Sequence, residues 1–169
     1  MHARPAAIVA VLIVLAIVLP LNARPNSTML YKSAERIALD GDIDRAMAAF
    51  RKTLEVNPHY ALAHYGLGKA CLYREGMLRE AVFHLEKAVD FDKGLARGYF
   101  YLGIGYMLSK RYGRSLNAFR TAYELDRGLV EALFNMAVVY DLTGQNNNAY
   151  KSYDRYLLEK NKRDSDILF

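Results

Sequence analysis

The residues whose types could support chemistry in this chain are four histidines, one cysteine, a few carboxylates and two glycine-bearing fragments. His2, His59, His64 and His84 include no pair four apart, the spacing that sets two imidazoles on one helical face for a metal, and no Cys-x-x-Cys set accompanies them. No metal site is expected. Cys71 is the only cysteine and so cannot form a disulfide within the chain. The stretch Tyr99 to Tyr106, YFYLGIGY, places Gly103-Ile104-Gly105 among aromatics, and Gly66-Leu67-Gly68-Lys69 offers a second glycine pair. A phosphate-cradling loop needs a glycine-rich turn between a strand and a helix, and a Walker loop needs a Ser or Thr after the lysine. Neither fragment has these features, and no segment carries a strand pattern, so no nucleotide cofactor is expected. No Gly-x-Ser-x-Gly is present. Asp90, Asp92, Glu124 and Asp126 fall near predicted helix ends, where capping or solvated roles are the default. No constellation for catalysis emerges, and an enzyme is the weakest reading.

The chain is long enough for one domain with a core: 169 residues, 53% of them hydrophobic, which argues against disorder. The net charge of +5 is interleaved along the sequence beyond residue 30 and does not form the basic tract that nucleic acid requires. Residues 6–21, AAIVAVLIVLAIVLPL, stand apart. A helix of that length spans roughly 24 Å, short of the roughly 30 Å of bilayer hydrocarbon. With Arg4 before it and Leu21-Asn22-Ala23 after it, the layout is that of an export signal or a single membrane anchor. Residues 1–26 are therefore expected to deliver an extracytoplasmic domain, membrane-anchored or periplasmic or secreted. Protease accessibility in intact cells tests that expectation.

The remainder is periodic. Residues 27–60, 61–95, 96–129 and 130–163 form units of 34, 35, 34 and 34 residues. The extra residue falls at the Glu75-Gly76 turn, where an insertion is cheap. Small residues recur in two columns: Ala34, Gly68, Gly103 and Ala137, then Ala46, Ala81, Ser115 and Ala149. Large ones recur between them at Phe50, Leu85, Phe119 and Tyr153. Cys71 shares a packing column with Ile37, Tyr106 and Tyr140, which makes it a buried, inert thiol. Asp40-Gly41-Asp42, Glu75-Gly76 and Thr143-Gly144-Gln145 mark turns, so each unit is two amphipathic helices joined tightly.

Leu67-Gly68, Leu102-Gly103 with Tyr106, Ala81, Ala88, Ala122 and Pro58 give this pattern its identity: residues 27–163 resemble the tetratricopeptide repeat (TPR) family. Ser33-Ala34 replaces the leucine-glycine pair in the first unit, Tyr156 replaces a small residue in the last, and Lys93, Arg127 and Asn161 hold the closing-proline place. The resemblance implies an all-α fold, a right-handed α-solenoid of four helix-turn-helix units, preceded here by the apolar N-terminal segment as a helix. It also implies an inner groove lined by each unit's first helix and filled by a protein or peptide partner.

The inner ladder is expected at Tyr31, Tyr65, Phe100 and Phe134. The next places on the same helices carry Glu35, Lys69, Ile104 and Val138, then Ala38, Leu72, Met107 and Asp141. Arg97, Tyr101 and Asn135 complete the expected partner-binding set. The family's carboxylate clamp for chaperone tails uses Lys and Asn at places that here carry Tyr31, Glu35, Gly66 and Tyr101, leaving only Arg97, so chaperone-tail binding is not expected. An apolar or amphipathic segment fits the groove better. The leading expectation is a non-catalytic interaction scaffold at the cell envelope. Alternatives are a homo-oligomer formed through uncapped solenoid ends and an accessory subunit of a membrane enzyme, secretion or pilus complex. Residues 164–169 form a tail whose Ile167, Leu168 and Phe169 are expected to cover the end of the fourth unit or to dock on a neighbouring chain.

Overall fold

The computed structural model describes residues 26–166. The apolar run at residues 6–21 lies outside them, as do Ile167, Leu168 and Phe169, and with them the expectations of an anchor and of a docking tail. Among the described residues there are eight helices and no strand: α1 (Ser27–Leu39), α2 (Ile43–Val56), α3 (Ala61–Leu72), α4 (Leu78–Phe91), α5 (Ala96–Leu108), α6 (Tyr112–Leu125), α7 (Glu131–Leu142) and α8 (Asn146–Asp166). No helix among these residues is long and apolar enough to cross a membrane.

Consecutive helices pair as α1–α2, α3–α4, α5–α6 and α7–α8, and each second helix also packs on the first helix of the next unit. First helices touch one another, α1 with α3, α3 with α5 and α5 with α7, whereas second helices do not. First helices therefore form the tighter, inner layer of the solenoid, and second helices the outer one.

Two local devices repeat with the period. The turn inside each unit holds one residue at positive φ: Gly41, Gly76, Lys110 and Gly144, at 84°, 78°, 57° and 71°. Glycine enters this region freely, while an L side chain there costs roughly 1–2 kcal/mol, so Lys110 is the strained member. The link between units is tied by a side chain to a backbone amide two residues on. His59 N–H donates to Asn57 at 3.1 Å, Gly94 N–H to Asp92 at 2.9 Å and Gly128 N–H to Asp126 at 2.9 Å. Short polar side chains favour such turns over continued helix. Of the carboxylates expected near helix ends, Asp92 and Asp126 thus have a structural task, and Asp90 accepts from Lys93 at 2.8 Å.

The small-residue columns are where helices meet. Ala34, Gly68, Gly103 and Ala137 are buried, as are Ala46, Ala81, Ser115 and Ala149. A Cβ added at Gly68 would lie 2.7 Å from Leu85 Cγ and 3.0 Å from the Ala81 carbonyl oxygen, and one at Gly103 would lie 2.6 Å from the Phe119 ring. Ser115 Oγ donates to the Gly103 carbonyl at 2.8 Å, a buried bond across α5 and α6 worth about 1 kcal/mol. Gly105 faces elsewhere, with an added Cβ 3.0 Å from Val82 of α4. Both glycines of Gly-Ile-Gly therefore admit a neighbouring helix, one from its own unit and one from the unit before. Phe50, Leu85 and Phe119 are core residues, each burial contributing about 1.5–3 kcal/mol.

Tyr153 departs from the expected core column. It is only half-buried, its ring rests on Phe134 and its hydroxyl donates to Asp141 at 2.9 Å. Phe119, its counterpart, is covered by α7, and among the described residues no helix takes that place over α8. Helix α8 also runs on to Asp166, with 21 residues against 14 in α2, α4 and α6, so residues 164–166, read as tail from sequence, continue the helix.

Candidate binding groove

On the inner layer, α1 and α3 enclose a concave cavity of about 470 Å³ lined by Tyr31, Glu35, Phe50, Tyr65, Lys69 and Arg97, with Ala38, Leu39, Ile43, Gly66, Ala70 and Tyr73. Its floor exists because Gly66 has no side chain. A Cβ there would sit 2.5 Å from the Phe50 ring, so the glycine lets a core aromatic reach the cavity. The Tyr31 ring packs 6.0 Å from Phe50 and 5.5 Å from Tyr60, and its hydroxyl donates to Glu35 at 3.1 Å. Burial first, and the Glu35 carboxylate second, hold the Tyr31 phenol well above its usual range. Burial, and then Tyr101, raise Tyr65 to about 12. Both phenols are therefore neutral donors at physiological pH. Lys69 lies 5.2 Å over the Tyr101 ring. The cavity thus offers aromatic walls, one carboxylate engaged by Tyr31, and two cations, Lys69 and Arg97.

Of the expected groove residues, Tyr31, Tyr65, Lys69 and Arg97 come together in this cavity. The others lie elsewhere. Tyr101 stacks edge-on with both Tyr65, at 5.8 Å, and Phe100, at 5.5 Å, and so adjoins the cavity without lining it. Leu72 packs against two core clusters. Phe100 rests on Phe119, and Ile104 and Met107 pack against the core between units three and four. Phe134 is 43% exposed and touches Tyr153 and Tyr156. Asn135 donates to the Glu131 carbonyl of its own helix, and Val138 is half-buried. Tyr31, Phe100 and Phe134 each rest on the large residue of their own unit's second helix, at position 50, 119 or 153, so the ladder is partly a wall of the core. The formed concavity is the mixed-charge N-terminal half, while the apolar C-terminal residues are largely spent on packing.

One cluster carries no sequence signal. His64 on α3 and His84 on α4 approach with their Nδ1 atoms 2.8 Å apart, and His64 Nε2 lies 3.0 Å from the Pro58 carbonyl oxygen. A carbonyl can only accept, so His64 carries its proton on Nε2 and its Nδ1 accepts from Nδ1–H of His84. His84 Nε2 then faces Glu80 at 3.9 Å. Burial, followed by the neighbouring His64, lowers His84 to about 4, and burial also lowers His64. The pair is a neutral structural tie. The two residues lie twenty apart, which no helical spacing rule detects. Among the described residues no group of three or more His, Cys, Asp or Glu is placed to hold a metal. Cys71 is fully buried, and burial, with Glu80 next, raises its thiol to about 11, the opposite of an activated nucleophile.

No protein-family model matches the sequence, and no curated protein matches it. Solved structures do. A crystal structure of MamA superposes with a TM-score of 0.78 at 22% identity over 86% of this chain and 85% of that one. MamA from residue 41 to its end, from Desulfovibrio magneticus RS-1, gives 0.75 at 22% over 82% and 78%. The MamA RS-1 ArsTM double mutant gives 0.75 at 23% over 83% and 78%. Together with the eight helices packed in consecutive pairs, these likenesses make the fold of the described residues an all-α solenoid of the tetratricopeptide type, as in MamA.

Proposed function

We propose that this chain is a non-catalytic interaction scaffold of the cell envelope that holds a peptide or helix of a protein partner in its concave groove. The observation that carries the reading is the cavity between α1 and α3, where Tyr31 and Tyr65 offer aromatic walls and Lys69 and Arg97 offer charge. Aromatics and arginine are enriched where proteins bind one another. Lys69 and Arg97 can orient acidic flanks of an apolar segment. The signal-like layout of residues 1–26 supports placement at or beyond the membrane, reached by cleavage or by retention as an anchor. The full chain, tagged and cross-linked in its native host, provides the test, with Tyr65→Ala/Arg97→Ala as control. A partner lost from the double variant while helicity is retained supports the reading, and equal capture by both proteins overturns it.

A second reading, self-association through the solenoid end, is favoured by α8, where Tyr150, Leu157 and Leu158 are 74%, 54% and 68% exposed. Light scattering across a concentration range separates the two: growth in mass with concentration, abolished by Leu157→Lys/Leu158→Lys, supports the second.

A further inference from the structure

On the far side of α4 from the groove, units two and three meet in a cleft of about 520 Å³ whose floor is Leu78 and Val82, whose wall is Phe83 and whose rim is Arg79, Arg111 and Glu86. A neighbouring hollow of about 560 Å³ shares Gly76, Arg79 and Phe83, so Phe83, 52% exposed, stands on a ridge between the two.

Three features give the cleft a preference. Arg79, Arg111 and Lys110 have no side-chain partner among the described residues, whereas Arg51 and Arg74 are bound to Glu80 and Asp44. The N-termini of α4 and α6 both open beside it and, like those of α3, α5 and α7, carry no side-chain cap. Uncapped amides and the helix dipole add to the positive field. Lys110 sits at the left-handed turn position that the other three units give to glycine. A strained residue persists where something other than local stability retains it, and the residues on either side of Lys110, Ser109 and Arg111, line the cleft.

We infer that this cleft is a second docking site, distinct from the concave groove, and that it takes an extended peptide carrying Asp or Glu beside a Leu, Ile or Phe. The guanidinium fork of Arg79 or Arg111 matches a carboxylate, and the apolar floor accepts the neighbouring side chain. Glu86, held by the Tyr106 hydroxyl at 2.7 Å, keeps an oxygen for a peptide N–H. That carboxylate on the rim and an apolar floor fit a peptide better than a polyphosphate backbone, which presents charge at every step.

The test uses the full chain against a display library of random octapeptides, followed by fluorescence anisotropy with the most enriched peptide. Enrichment of acidic residues adjoining Leu, Ile or Phe is expected, with affinity falling about tenfold or more in Arg79→Glu/Arg111→Glu. Lys110→Gly is expected to weaken binding while holding or raising the melting temperature, since glycine relieves the backbone there; a merely structural lysine would move only the temperature. Tyr65→Ala, in the concave groove, leaves this binding intact, so the cleft and the groove stand or fall separately. Absence of acidic enrichment overturns the inference, as does equal binding by the double variant. Binding of an oligothymidylate or of phosphatidylglycerol vesicles through the same arginines, with no selected peptide, also overturns it.

Discussion

Gly68→Ala and Gly113→Ala put the close-packing argument to a test of sign. Both residues are helical and neither requires positive φ, so alanine gains about 1 kcal/mol of helix propensity at Gly68, inside α3, and about 0.5–1 kcal/mol at Gly113, in the first turn of α6. At Gly113 an added Cβ meets nothing within 4 Å, and the whole gain is expressed. At Gly68 the methyl lands 3.0 Å from the Ala81 carbonyl oxygen and from Leu85 N, and 2.7 Å from Leu85 Cγ. Two of these contacts are backbone, so no rotamer change relieves them and α4 must move away from α3. Overpacking of this kind costs about 1–3 kcal/mol, and the backbone contacts place it in the upper part of that range. The net expectation is a loss of roughly 1–2 kcal/mol for Gly68→Ala and a gain of about 0.5–1 kcal/mol for Gly113→Ala. Urea unfolding followed by circular dichroism at constant slope measures both. Stabilisation by Gly68→Ala would show that α3 and α4 do not meet at that residue and would remove the basis for reading the repeat's glycines as contact points.

Three further outcomes follow. Because the fold depresses His64 and His84 below the usual histidine range, His84 to about 4, unfolded chains bind the extra protons first as pH falls. The stability these residues confer, complete above about pH 6.5, should be lost toward pH 4, and the urea midpoint of His84→Leu should vary less with pH between 7 and 5 than that of the natural chain. Phe119→Ala should cost about 3–5 kcal/mol as a fully buried ring is removed, while Phe134→Ala, 43% exposed, should cost about 1 kcal/mol or less; comparable losses would contradict the difference in burial between the two rings. Cys71, buried and raised to about 11, should resist iodoacetamide at pH 8 in the native state and react once unfolded, as mass spectrometry can read directly.

The repeat was legible in sequence because the physics that sets it is local and periodic. Small residues at Ala34, Gly68, Gly103 and Ala137 can recur at one place only if a helix crosses there each time, and Gly41, Gly76 and Gly144 mark turns because few other residues enter the left-handed region cheaply. Paired amphipathic helices and the inert environment of Cys71 followed from spacing, and the solenoid fold from the family resemblance that the spacing brought out. The site did not. Spacing places Tyr31, Tyr65, Phe100 and Phe134 on one row, but how far each ring is spent on its own core depends on the residue beneath it, and only the packed units decide that Gly66 opens a floor for Phe50 while Phe100 closes on Phe119. The His64–His84 tie joins the two helices of one unit, and the cleft between α4 and α6 joins successive units; in both, residues twenty or more positions apart meet through helix packing, a distance and an angle that no single helix encodes. Lys110 shows the division most clearly: the sequence displays a lysine in a turn, and tertiary structure reveals that it holds a glycine's conformation next to a cleft whose two arginines have no side-chain partner among the described residues.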